Sequence, residues 1–286
     1  MRQKPSDDDR FQRPALYYDP SWIQPTPATI LADVCVYGGT AAGIVAAVKV
    51  AQLGKTVIFL QPGKHLGGLT TGGLGLTDYA KREGIFQNHV HYQLGFYWHM
   101  ANASAIPARY RSAYQRWGLP RDEFRDTGHW PHQLYIREAR RMVSDYVMTE
   151  SDCRLQRAIT DSIGMGSYNM DSHNCSRFVK TENGIPRVLN EGDVQVPPRG
   201  PYPIPYRIII PKRGECENLI VPICMSASHI AYGSIRMEPV FMVLGESTAV
   251  AAVMALDAHQ PVQNIDVSKL RQRLLADGQV LTVPSG

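Results

Sequence analysis

Apolar positions along the chain fall into short runs and longer stripes, and their order predicts the fold. Residues 33–37, DVCVY, form a brief apolar run of the kind that makes a buried strand. The next stretch, AAGIVAAVKVAQLG, places Ile44, Val45, Val48, Ala51 and Gln52 at helical spacing, with Gly54 as a stop. KTVIFL (55–60) is a second apolar run. Strand, tight turn, helix and strand in under thirty residues predict a βαβ unit with parallel strands and a right-handed crossover.

Between about 85 and 160 the pattern turns helical. Pro107 suits the first position of PARYRSAYQRW, with Gly118 as its stop. PHQLYIREARRMVSDYVM sets Leu134, Ala139, Met142, Val143, Tyr146 and Val147 along one stripe and predicts a helix, and TESD (149–152) has the capping-box pattern that starts another. From 160 to 235 Gly, Pro and β-formers dominate, in GDVQV, PYRIIIP and NLIVPI, the last (218–223) read as a strand. Helix returns at about 239–258 and 266–277, closed by Gly278. The organisation implied is a polar, Pro- and Asp-rich N-terminal arm (1–30), a βαβ part (31–80), a helical region (81–160), an irregular β region (161–215) and a C-terminal part (216–286).

Composition narrows the function classes. With 286 residues there is enough chain for one large domain or two smaller ones. A net charge of +4 without a long basic run gives no footprint for nucleic acid, and REARR (Arg137 to Arg141) reads as a solvated or ion-paired face. Five scattered cysteines with no C-x-x-C pair argue against a disulfide framework or zinc ribbon and fit a reducing compartment. No apolar leader opens the chain, and no stretch reads as long enough to cross a bilayer, so a cytoplasmic protein with no membrane partner is expected. HVH (His89, His91) and HWPH (His129, His132) lack a recognised ligand spacing, so no metal site is expected.

The turn between the first strand and helix carries the first chemistry. Gly38, Gly39, Thr40, Ala42 and Gly43 form a small-residue corner of the dinucleotide-binding kind. Gly38 permits the sharp turn, a small Thr40 lets backbone approach a diphosphate, and Gly43 lets the helix pack on the strand. The N–H groups of the first helical turn then hold the charge. Two features depart from the usual fingerprint: Thr40 stands at the second glycine, and Gln61 stands where a ribose-binding acid is usual. A second glycine-rich loop follows, PGKHLGGLTTGGLGLTD, with Gly67, Gly68 and Thr71, and it suits the longer body of FAD better than NAD.

These runs, DVCVYGGTAAGIVAAV through GGLTTGGLGLTD, resemble the N-terminal segment of the FAD-dependent oxidoreductases labelled xanthan-lyase-like. DTGHWPHQLYIREARRMVSDYVMTESDC, GSYNMDSHN, NEGDVQV and the long stretch from PYRIIIP to AAVMAL resemble the same family's C-terminal half. Members of that family are longer, and their large middle portion falls where LTDYA here runs directly into KREGIFQNHV. The resemblance therefore implies an α/β, two-dinucleotide-binding (Rossmann-like, glutathione-reductase-type) FAD fold with its centre removed, a helical region and a C-terminal return. It also implies FAD as cofactor and oxidation or reduction of a small organic, carbohydrate-related substrate.

In that context N–H groups near Gly245, Glu246 and Ser247, on the small-residue helix EPVFMVLGESTAVAAVMAL, are expected beside the flavin. SASHIAYGSIRMEP offers His229, Tyr232 and Arg236 just after the expected late strand, and YNMDSHN offers Asp171 and His173 two apart on an extended segment. A neutral histidine oriented by a carboxylate is a suitable proton acceptor beside a flavin, so His229, His173, Asp171 and Arg236 are the catalytic candidates. Each also fits a structural role. Two other readings stay open: a non-catalytic remnant that holds no FAD, and an NAD(P)-dependent enzyme using the same βαβ. A sheet edge left by the missing middle would favour a homo-oligomer.

Overall fold

The computed structural model describes residues 29–61, 66–67, 79–131, 138–174 and 176–283. They divide into two compact units, one within 61–136 and the other made of 30–60 and 137–286. In chain order the elements are β1 (Val34–Tyr37), α1 (Ala41–Gln52), β2 (Val57–Leu60), α2 (Tyr79–Asn102), α3 (Ala108–Gln115) and α4 (Glu150–Cys153). Then come β3 (Ser162–Gly166), β4 (Met170–Ser172), β5 (Ser176–Glu182), β6 (Ile185–Glu191), β7 (Val194–Val196) and β8 (Tyr202–Pro205), followed by α5 (His229–Ile235), α6 (Glu238–Asp257) and α7 (Val267–Ala276).

The opening unit forms as its hydrophobic pattern requires. β1 and β2 pair in parallel, Val34 opposite Val57 and Tyr37 opposite Leu60. Val34, Val36 and Val57 turn one face of this pair toward Ala46, Val50 and Ala249, so α1 is packed between the strands and α6. The other face carries Cys35 and Tyr37, the latter 62% exposed. β3 pairs antiparallel with β8, β4 with β7 and β5 with β6, each a two-stranded ladder among the described residues. In the helical unit α2 packs on α3, with Phe86 and Val90 buried against Leu94 and Trp130.

α6 lies alongside α1 and runs in the same direction. Gly245 sits on Ala42, Ala249 packs with Ala46 and Val50, and Asp257 pairs with Lys55 at 2.5 Å. A side chain at Gly245 would put its Cβ inside 3.0 Å of the Ala42 backbone, so only hydrogen there lets the helices meet. Seven residues of α6 precede Gly245, so the helix overhangs the start of α1 by about 10 Å. That overhang extends past the carboxyl end of β1, the end where open α/β sheets bind ligands.

Lys49 locks this arrangement from the far side. Its Nζ donates to Glu246 at 2.7 Å on α6 and pairs with Asp277 at 2.9 Å just after α7. The Lys49 ammonium bond holds the Asp277 carboxyl below its usual range, with Arg273 helping. A depressed carboxyl adds stability that is fully present above its unfolded pKa of about 3.9 and is lost as pH falls through the lower folded value. Denaturant titrations should therefore show stability falling below about pH 4. A Lys49→Met variant should lose on the order of 1–3 kcal/mol at neutral pH and most of this acid dependence.

Three sequence expectations are corrected. Residues 138–148 are extended rather than helical. Met142 N–H donates to Cys224 O at 2.8 Å, Ser144 N–H to Ser226 Oγ at 3.1 Å and Met148 N–H to Ser226 O at 3.1 Å, so these amides bond sideways and not along a helix. The true period is two: Met142, Ser144, Tyr146 and Met148 turn inward, while Val143, Asp145 and Val147 are exposed. NLIVPI is not a strand. Pro222 has no N–H to give a ladder, and the segment's link to its neighbour is Val221 N–H to Ile209 O at 2.7 Å. Finally, α6 is, among the described residues, a 20-residue helix apolar enough to cross a bilayer by length and composition. Over half of it is buried within the protein, and packing on α1 and β3 accounts for its apolar character.

Candidate functional site

The β1–α1 turn is the first candidate. Gly38 adopts φ +103°, a left-handed conformation that suits glycine, and its N–H donates to Leu60 O at 2.8 Å, fastening the turn to the end of β2. Thr40 caps α1: its Oγ1 accepts from Gly43 N–H at 3.1 Å and its carbonyl accepts from Ile44 N–H at 2.9 Å. A Cβ on Gly43 would fall inside 3.0 Å of Gly38 O, so the turn closes only around glycine. Thr40 at the second glycine position is thus a working cap.

Ala41 and Ala42 are buried, and among the described residues their N–H groups have no hydrogen-bond partner. Buried amides without acceptors are costly, and the first turn of α1 carries no acidic side chain to supply one. A dinucleotide diphosphate satisfies both amides and the helix dipole together, so these residues fit such a group. Gly39 lies inside the same turn and Gln61 directly follows β2. Gly67 has φ +114°, while Gly68 and Thr71 lie outside the described residues.

Gly245, Glu246 and Ser247 are engaged in packing. Gly245 meets Ala42, Glu246 bonds Lys49 and accepts from Gln279 Nε2 at 3.0 Å, and Ser247 Oγ donates to Ile163 O at 2.6 Å. These contacts join α6 to α1, to the segment after α7 and to β3.

The four catalytic candidates converge. Arg236 follows α5 and its side chain is only 3% exposed. Nη2 donates to the Asp171 backbone carbonyl at 2.7 Å and lies 3.7 Å from Asp171 Oδ2. His173 Nε2 is 3.3 Å from the same Oδ2, and its side chain is half-exposed. His229, the first residue of α5, places Nε2 2.7 Å from Ser172 Oγ. β4 supplies Asp171 and Ser172, and α5 supplies His229. The two elements touch where a Cβ on Gly233 would overlap the Asp171 backbone.

Glu138 was missed by sequence reasoning, and it is the hub of the cluster. Its Oε1 accepts from Arg236 Nη1 at 2.6 Å and lies 3.4 Å from His229 Nδ1, while Oε2 accepts from Arg141 Nη1 at 2.6 Å. The signal that could have found it was Arg236. A guanidinium bound for the interior needs a carboxylate, and the nearest charge run without a stated partner was REARR. Arg141 also stacks over the Tyr232 ring at 5.4 Å, and burial pushes the Tyr232 hydroxyl well above its ordinary range. The cluster thus combines a fixed buried cation, two acids and two partly exposed imidazoles at the overhanging end of α6.

Comparison with known families finds the FAD dependent oxidoreductase family over residues 33–86 and 77–274. No curated protein and no solved structure matches the chain. The family match spans the βαβ turn, β4, α5 and α6, so the geometry and the relationship rest on the same residues. The chain belongs to the FAD dependent oxidoreductase family, and FAD is the cofactor that this membership assigns to it.

Proposed function

We propose that the chain binds FAD with its diphosphate on the β1–α1 turn and exchanges electrons with a small organic substrate at the His229 cluster. The reading is carried by one observation: the overhang of α6 brings the cluster past the end of β1, where among the described residues the Ala41 and Ala42 amides have no acceptor. When bound, the flavin takes or gives the electron pair. Gly38, Gly39, Thr40, Ala42 and Gly43 shape the turn, and Gln61 stands where the adenosine ribose would be bonded. His229 exchanges the substrate proton, with His173 and Asp171 beside it, and Arg236 holds the acids in place.

We read the fold as an abridged two-dinucleotide-binding type of the xanthan-lyase-like branch, acting on a carbohydrate-related substrate. Two observations support the abridgement. The family match falls in two stretches, and among the described residues β1–β2 is a two-stranded parallel sheet with Cys35 and Tyr37 exposed on one face, where such sheets are normally covered on both. The same uncovered strands favour self-association, which sedimentation would detect as a species heavier than one chain.

The test is anaerobic mixing of the flavin-loaded protein with panels of aldoses, polyols and hydroxy acids. Bleaching of the flavin band by one class identifies the substrate. A His229→Gln variant should retain flavin and bleach about 100-fold or more slowly. Equal rates in the two proteins would remove His229 from the chemistry.

A further inference from the structure

We infer that Glu138 and Ser172 are positioning residues that hold His229 as the Nδ1–H tautomer, with its lone pair on Nε2. The functional meaning rests on the flavoenzyme reading, but the assignment itself rests on geometry alone. Glu138 receives hydrogen bonds from Arg236 at 2.6 Å and Arg141 at 2.6 Å, so it faces the ring as a carboxylate, with acceptor oxygens only. His229 Nδ1 lies 3.4 Å from Oε1, longer than a hydrogen bond of good geometry, but the carboxylate charge there still favours the proton on this nitrogen. In the neutral ring the other nitrogen, Nε2, must then accept. At 2.7 Å it is the nearer acceptor for the one hydroxyl hydrogen of Ser172, the alternative, His173 O, lying at 3.5 Å.

Ser172, His229 and Glu138 share the order of a hydrolytic triad, but exposure decides against that reading. Ser172 is 3% exposed, too enclosed for attack on an incoming carbonyl, whereas the His229 side chain is 42% exposed. The serine is therefore a partner for the ring. A substrate proton reaches Nε2 when the Ser172 hydroxyl rotates away or passes its own hydrogen to the ring while taking the substrate's. Among the described residues, the charged or titratable groups linked to His229 through Glu138 and Ser172 are Arg141 from the same segment as Glu138, Arg236 after α5, and Asp171 and His173 on either side of Ser172.

The test is long-range proton–nitrogen correlation NMR on the nitrogen-15-labelled full chain, recorded above the imidazole titration range, with His229 assigned by its loss in His229→Gln. The wild type should show a protonated Nδ1 and an unprotonated Nε2. Ser172→Ala and Glu138→Ala should each move His229 toward the Nε2–H form that free histidine favours, Ser172→Thr should restore the wild-type pattern, and His173→Gln should leave it unchanged. Circular dichroism identifies a variant that fails to fold, in which case Ser172→Ala, the milder change, decides. A wild-type ring already in the Nε2–H form, or one unmoved by Ser172→Ala, overturns the assignment. A colourless protein with the predicted tautomer would instead sink the flavin reading and leave this one standing.

Discussion

A Gly43→Ala variant is expected to purify with its flavin lost and to take up none on reconstitution. The added methyl would lie inside 3.0 Å of the Gly38 carbonyl oxygen, and backbone cannot yield as a flexible side chain can. Either α1 tilts off β1 or the turn opens. Overpacking of this kind costs typically 1–3 kcal/mol, and a clash with main chain belongs at the upper end. The functional loss should exceed the stability loss, because both movements misdirect the Ala41 and Ala42 amides. Visible absorbance of the purified variant, with a thermal melt beside it, checks both. A variant that keeps its flavin would show that the turn does not carry the diphosphate.

Gly245→Ala should be the most destabilising single methyl in the C-terminal half. Its Cβ would overlap Ala42 backbone where α6 crosses the start of α1, with the Lys49 bond to Glu246 one residue away. A loss of about 3 kcal/mol is expected, read from the urea midpoint. Gly95→Ala gives the contrast. Gly95 lies within α2, and a Cβ there would meet nothing inside 4 Å, so alanine should add about 0.5–1 kcal/mol through helix propensity. If both substitutions proved equally mild, close packing of α1 on α6 would not be what joins the two ends of the chain.

The parts of the fold that were readable are those where one local signal sufficed. The first crossover declared itself through two apolar runs on either side of a small-residue corner, and Thr149 and Asp152 do form the expected capping box. Residues 138–148 misled because their outward positions, Val143 and Val147, are apolar while an inward one, Ser144, is polar. That serine is buried to satisfy Arg207 O and Ile210 O, bonds that join distant segments and leave no trace in local periodicity. The same holds for the cluster. Histidines, an acid and an arginine near turns could be named as chemistry, but that Asp171 and Arg236 would meet depends on β4 lying against α5. Glu138 looked like part of a solvated charge run because its partners on α5 and just beyond it are about a hundred residues away in the sequence.

The central claim is that a diphosphate sits on the Ala41 and Ala42 amides, and the most direct measurement is the visible spectrum of the purified full chain before and after incubation with FAD. A flavin spectrum is predicted, with FAD as the molecule released on denaturation and a melting temperature raised by added FAD. A well-folded protein that stays colourless after reconstitution, or one stabilised by NAD(P) and not by FAD, would contradict it.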